Sequence, residues 1–158
     1  MDNAVVVGIS DMNVTTRPGT LITYALGSCV GLCLYDSAVG VAGLSHILLP
    51  DSAMCPSDRN VIKFADTAVQ ALIERMERSG ASRRRIVAKM AGGAKLFGGS
   101  AGINVGERNV IAVKEQLSRL RIPLVAEDTG RDYGRTVEFL SQDGTLHVKT
   151  ALRGVKSI

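Results

Sequence analysis

The sequence predicts an α/β fold of the mixed α+β type: one domain over residues 1–158, with mixed β-sheet and two main helices packed on it in a layered α–β sandwich. Three observations carry this reading. Two stretches place apolar residues at helical spacing. Short runs rich in β-formers surround them. The order along the chain is strands, then helix, strand, helix, then strands again. A chain of 158 residues buries a real core as one domain, and with 4% aromatic residues and no Trp that core is built from Val, Ile, Leu and Ala.

Taken in order, strands are expected at Ala4–Ile9, Leu21–Ala25, Val30–Tyr35 and Val41–Leu49. Asp36-Ser37-Ala38-Val39-Gly40 reads as the turn joining the last two. The first helix is expected over Val61–Met76. Its apolar stripe is Val61, Phe64, Ala65, Ala68, Val69, Leu72, Ile73 and Met76, with Ser57 or Asn60 as cap and Gly80 as stop. A strand at Ile86–Met90 follows. The second helix is expected over Glu107–Leu120, opened by an Asn104/Glu107 capping pair and closed before Pro123. Strands at Leu124–Glu127, Thr136–Leu140 and Leu146–Ala151 complete the chain, the last two joined by an Asp143-Gly144 hairpin turn.

No stretch is long and apolar enough to span a membrane, and Met1-Asp2-Asn3-Ala4 lacks the basic segment of a secretory signal. Three cysteines, an odd number, argue against a disulfide framework and for the reducing cytoplasm. The net charge of +4 is small and mixed with acids, so it reads as a mildly basic surface with some attraction for an acidic partner. Arg83-Arg84-Arg85 has no interleaved aromatics and reads as a solvated turn, not a nucleic-acid groove.

The chemistry concentrates at Leu26-Gly27-Ser28-Cys29-Val30. A Gly-Ser pair lets the backbone bend and frees its N–H groups, and Cys29 follows directly. In a strand starting there, Val30, Leu32 and Leu34 face one side, and Cys29, Gly31, Cys33 and Tyr35 the other. His46 lies on the next strand, within reach once the turn brings the strand ends together. A histidine beside a thiol favours the nucleophilic thiolate. The alternative is a buried structural cysteine and a satisfied core histidine. A third group usually orients the base. Thr23, six residues before Cys29, is one candidate, with a simpler reading as a β-branched strand residue; Asp36 and Tyr35 are weaker, since Asp36 fits a turn and Tyr35 a strand.

A Cys29/Cys33/Cys55/His46 zinc site fails on geometry. Two strand residues four apart stand about 13 Å apart at roughly 3.3 Å per residue, too far to share a metal. No metal and no cofactor is expected. Cys55, next to Pro56, reads as a loop cysteine, and His147 as structural or exposed. Gly92-Gly93-Ala94-Lys95-Leu96-Phe97-Gly98-Gly99-Ser100 is laid out like a phosphate loop, but Gly99 occupies the place of the essential lysine.

Along almost its whole length the chain resembles the CheD family, the chemoreceptor glutamine deamidases of bacterial chemotaxis. The likeness runs through Leu21–Val30, Leu34-Tyr35-Asp36, Ser45–Pro50, Lys89–Phe97, Ile103–Asn109, Glu127–Gly130 and Gly134–Phe139. The resemblance implies a cysteine hydrolase with Cys29 as nucleophile, His46 as base and Thr23 as orienting residue. Backbone N–H groups around Gly27, Ser28 and Cys29 would support the oxyanion. It implies receptor cytoplasmic helices as substrate, glutamyl methyl esters as related substrates, and a CheC-type phosphatase as docking partner. Arg131 stands where the family usually has a second glycine after Gly130.

Overall fold

A central antiparallel hairpin organises the molecule. The computed structural model describes residues 4–96 and 104–158. Strands β4 (Val30–Asp36) and β5 (Val41–Ile47) are buried along their full length. Around them run β1 (Ala4–Val6), β2 (Met12–Thr16), β3 (Thr20–Leu26), helix α1 (Ala65–Arg78), β6 (Val87–Gly92), helix α2 (Val105–Arg119), β7 (Leu124–Thr129), β8 (Arg135–Leu140), β9 (Leu146–Thr150) and β10 (Gly154–Ser157). The strands form two five-stranded sheets, ordered β2-β5-β4-β6-β7 and β1-β3-β8-β9-β10. Both helices pack on the first sheet only, and its other face meets the second sheet. The layers are therefore helix, sheet, sheet: the helices pack on mixed sheet as the α+β reading expected, and the second sheet adds a layer it did not specify.

Strand alternation divides the hairpin between two cores. Val30, Leu32, Leu34, Val41 and Ile47 join Ala68, Val69, Leu72, Ile73 and Met76 of α1 and Val113 and Leu117 of α2. Cys29, Cys33, Tyr35, Ala42 and Leu44 face the second sheet and join Leu21, Val137, Phe139, Leu146 and Val148. This is the division anticipated for Val30–Tyr35. The Asp143-Gly144 turn also joins two antiparallel strands, β8 and β9.

Some boundaries differ from expectation. Helix α1 starts at Ala65, not Val61, and its N-cap is Phe64, which makes no side-chain cap bond. Neither Ser57 nor Asn60 caps it. Asn60 Oδ1 instead accepts the Ile62 amide, and the Lys63 carbonyl accepts the Leu48 and Leu49 amides, so these residues finish the sheet before the helix can begin. Helix α2 keeps its expected cap, with Asn104 Oδ1 accepting the Glu107 amide at 3.1 Å. The first strand ends at Val6 because the chain turns at Gly8–Asp11 to pass from one sheet to the other. Strands β2 and β10, unanticipated, are sheet edges: β10 is exposed along its length, and β2 is short, with only Met12 and Val14 turned to the core. Among the described residues no helix is long and apolar enough to cross a membrane.

Candidate active site

The chain leaves one sheet at the end of β3 and enters the other at the start of β4. That crossover carries Cys29. The β3–β8 register breaks between Thr23 and Leu26, Ala25 takes a left-handed φ of 57°, and the Gly27 amide donates back to the Ala25 carbonyl at 3.0 Å. The bend read from Gly27-Ser28 is thus present, with its strain at Ala25. In the β4–β5 ladder Gly31 pairs with His46 and Val30 with Ile47. Cys29 lies just ahead of β4, two residues before Gly31, and packs into the core between the sheets, on the side of the hairpin that carries His46. Thr23 faces His46 from the opposing sheet.

Thr23 meets His46 directly, with 2.7 Å between Oγ1 and the imidazole Nδ1. The same hydroxyl lies 2.7 Å from the Val7 carbonyl oxygen. A carbonyl has no hydrogen to give, so the single hydroxyl hydrogen of Thr23 goes to Val7. The contact with His46 then needs a hydrogen on Nδ1. This fixes the tautomer: Nδ1–H donates to Thr23, and Nε2 carries a lone pair. Nε2 is buried and has no hydrogen-bond partner among the described residues. Nε2 makes no hydrogen bond to Cys29 Sγ here, and its free lone pair, on the face of the hairpin that also carries Cys29, is what a general base requires.

The backbone around Cys29 is held by its carbonyls. The Ala94 amide donates to Gly27, the Gly93 amide to Cys29, and the Asn109 side chain to Ser28, all at 2.9 Å. Among the described residues, the Ser28 and Cys29 amides donate to no backbone carbonyl and to no neighbouring residue's side chain. Three engaged acceptors stand beside the free Ser28 amide and a Cys29 amide that faces only its own sulfur, an arrangement suited to a developing oxyanion. The close approach of β6 explains one glycine. Gly92 has a φ of 111°, and a Cβ there would stand 2.2 Å from the Cys29 carbonyl oxygen.

Burial sets the charge state of the pair. Desolvation raises the Cys29 thiol pKa, partly offset by a hydrogen bond from its own amide. Desolvation lowers His46 to about 4. The resting pair is therefore thiol and imidazole. The standing thiolate inferred from residue types gives way because the low-polarity space between the sheets disfavours both charged forms.

The other candidates fall elsewhere. Asp36 does not orient His46: its buried carboxylate accepts Arg85 Nε at 3.0 Å and the Ser82 and Ala38 amides. Burial works against that carboxylate, but Arg85 and the two amides outweigh it and hold its pKa below the usual range. Arg83-Arg84-Arg85 forms a solvated turn as expected, and Arg85 pairs with Asp36 while staying exposed. Tyr35 donates its hydroxyl to the Ser141 carbonyl, between the sheets and away from His46. Cys33 is a buried core residue whose thiol pKa burial pushes up, and Cys55 is half-buried. His147 Nδ1 lies 2.7 Å from Ser157 Oγ across β9 and β10. Arg131 adopts a φ of 64°, the left-handed conformation a glycine takes freely, so the turn keeps that shape without the glycine. Of the phosphate-like stretch, Gly93 and Ala94 brace Cys29, while Phe97, Gly98, Gly99 and Ser100 lie outside the described residues. Sequence reasoning missed Val7, which acts through its carbonyl and has no side-chain signal. It also missed Asn109, visible only as one polar residue on a buried helix face.

Comparison with known proteins places this geometry in context. Residues 48–150 match the family described as CheD chemotactic sensory transduction. A relative from Caldanaerobacter subterraneus subsp. tengcongensis, named probable chemoreceptor glutamine deamidase CheD, is 54% identical over 155 residues, 96% of each chain. A protein from Halalkalibacterium halodurans, named chemoreceptor glutamine deamidase CheD, is 46% identical over 162 residues, all of both chains. Another from Lachnoclostridium phytofermentans, with the "probable" form of the same name, is 45% identical over the whole of both. The family match begins after Thr23, Cys29 and His46, so the roles of these residues rest on their geometry.

Proposed function

This chain belongs to the CheD family, and on that premise we propose that it is a chemoreceptor glutamine deamidase with Cys29 as nucleophile, His46 as general base and Thr23 as the residue that orients it. The observation that carries this reading is the chain of contacts from the Val7 carbonyl through Thr23 Oγ1 to His46 Nδ1, which leaves Nε2 free as an acceptor.

The chemistry follows from the proton inventory. His46 Nε2 takes the Cys29 thiol proton as Sγ attacks the side-chain amide carbon of a receptor glutamine. The carbonyl oxygen gains negative charge, stabilised by the Ser28 and Cys29 amides. The imidazolium gives its proton to the departing nitrogen, the C–N bond breaks, and ammonia leaves a thioester on Cys29. Water then loses a proton to the neutral Nε2 and attacks the thioester carbon. The C–S bond breaks, the thiolate regains the proton, and the product is glutamate. Overall one water is consumed and one ammonia released. Thr23 holds the Nδ1–H throughout and stabilises the transient imidazolium, in an otherwise desolvated place where that charge is costly. A glutamyl methyl ester fits the same acyl-transfer cycle, with methanol as leaving group.

The substrate is the cytoplasmic helical region of methyl-accepting chemotaxis receptors, and the enzyme works in the cytoplasm. A second role, docking on a CheC-type phosphatase, would not need the Thr23–His46 contact or a free Nε2, so the site favours catalysis. The test is deamidation of a receptor cytoplasmic fragment followed by mass spectrometry. The wild-type protein converts specific glutamines to glutamate, and Cys29→Ala abolishes conversion while the circular dichroism spectrum stays unchanged. Conversion by folded Cys29→Ala would overturn the mechanism.

A further inference from the structure

We propose that Asn109 is a positioning residue of the active site: its side-chain amide aims the Cys29 N–H at the reacting centre and locks the nucleophile loop to the strand that carries His46. The inference rests on the reading of Cys29 as nucleophile.

Asn109 lies on α2 and is fully buried. Its Nδ2 donates to the Ser28 carbonyl at 2.9 Å and to the Leu48 carbonyl at 3.0 Å. A primary amide has two hydrogens, and both are committed. The two acceptors bracket the site. Ser28 immediately precedes Cys29, and Leu48 lies two residues beyond His46. One side chain therefore spans the two segments whose relative placement sets the thiol–imidazole geometry.

The Ser28 contact also has a direction. In a planar trans peptide the C=O and N–H point opposite ways. Drawing the Ser28 carbonyl toward α2 turns the Cys29 N–H away from α2. That N–H already favours the ionised Cys29 sulfur, against the desolvation that raises its pKa. It is also one of the two amides available to the oxyanion. Of the three carbonyls in Gly27-Ser28-Cys29, those of Gly27 and Cys29 are held by backbone amides of Ala94 and Gly93. Only that of Ser28 is held by a side chain, so it is the one a substitution releases. Asn109 Oδ1 is buried without a partner among the described residues. The amide is thus engaged through its donors alone, at a depth where an apolar side chain would fill space with no unpaired acceptor.

The experiment compares Asn109→Leu, of similar volume, and the milder Asn109→Ser with Val113→Ala. Val113 is buried one turn further along the same helix, in the helix-side core, and tests general loosening of α2. Iodoacetamide alkylation of Cys29 is followed against pH in the full-length protein, with peptide mapping to separate it from Cys33 and Cys55. Deamidation kinetics on a receptor cytoplasmic fragment are measured in parallel. Both Asn109 variants are expected to move the Cys29 alkylation profile upward by about one pH unit. They should lower kcat at least tenfold, toward the roughly 100-fold that losing an oxyanion donor costs, with KM within about twofold. Val113→Ala leaves the alkylation profile where it is. The proposal is overturned if either folded Asn109 variant keeps the wild-type profile and kcat, or if Val113→Ala shifts the profile equally; should Asn109→Leu not fold, Asn109→Ser decides. If the wild type fails to deamidate while the Asn109 variants still shift the alkylation profile, the deamidase reading fails and the positioning role stands.

Discussion

The two faces of the β4–β5 hairpin differ in kind although they share the same backbone. The helix-facing side is aliphatic: Val30, Leu32, Leu34, Val41 and Ile47 meet the apolar stripes of α1 and α2. The sheet-facing side holds Cys29, Cys33, Ala42 and Leu44, and places buried His46 against Thr23 of the second sheet. The first face stabilises the fold through dispersion and water exclusion. The second gives up some of that to keep an imidazole dry, neutral and oriented. A strand that alternates its side chains assigns the two tasks to the two faces and lets each be perturbed separately.

The largest effect that would break this division comes from the helix side. Leu32→Ala opens a cavity in a fully buried place and is expected to cost about 2–5 kcal/mol in urea unfolding. Deamidation per folded molecule should stay within about twofold of wild type, since no contact of Leu32 reaches the reacting atoms. A large loss of turnover in the folded fraction would mean that the faces are coupled.

The next effect comes from the sheet side. Thr23→Val keeps shape and removes the hydroxyl, leaving the His46 Nδ1–H without its acceptor. Unfolding measurements should show a loss of about 1–3 kcal/mol, the range for orphaning a buried donor. Turnover should fall by about tenfold or more, because the free tautomer now exchanges and the base is no longer fixed. An unchanged rate would return Thr23 to an ordinary strand residue.

The smallest effect is a pH dependence. The native imidazole has its pKa lowered to about 4 by desolvation, whereas an unfolded histidine titrates near about 6.5. Between these values the unfolded chain takes up a proton that the native state refuses, so stability declines as pH falls through that window. Above it the His46 contribution is constant. Denaturation midpoints at pH 7, 6 and 5 should decline in wild type and flatten in His46→Gln. Turnover needs neutral His46 and should persist well below pH 6.5. A rate that tracked a pKa near 6.5 would place the imidazole in water and contradict the dry face.

Much of this was legible in the sequence. The apolar stripes of α1 and α2 located both helices to within a few residues, because burial on one face writes a period into side-chain types. The alternation at Val30–Tyr35 separated its two faces correctly. Gly27-Ser28 signalled a bend, and the few histidines limited the choice of base. Edge strands β2 and β10 were illegible: β10 is exposed throughout, and the two core-facing residues of β2, Met12 and Val14, make too short a pattern to read. As the orienting group Thr23 stands ahead of Asp36 and Tyr35, which fit a turn and a strand, but residue type alone leaves Thr23 more simply read as a strand residue. Only the facing of two sheets brought Thr23 to His46 and sent Asp36 to Arg85.

The sequence by itself determined the class of fold, the membership of its helical and strand segments, and the residue types able to do thiol chemistry. These follow from side-chain hydrophobicity, spacing and functional groups, which are local properties of a chain. The tertiary structure decided the tautomer of His46, the neutral forms of His46 and Cys29, and the bracing of Ser28 and Leu48 by Asn109. Those depend on backbone carbonyls and on desolvation, and neither exists as a property of a residue until distant segments are folded against one another.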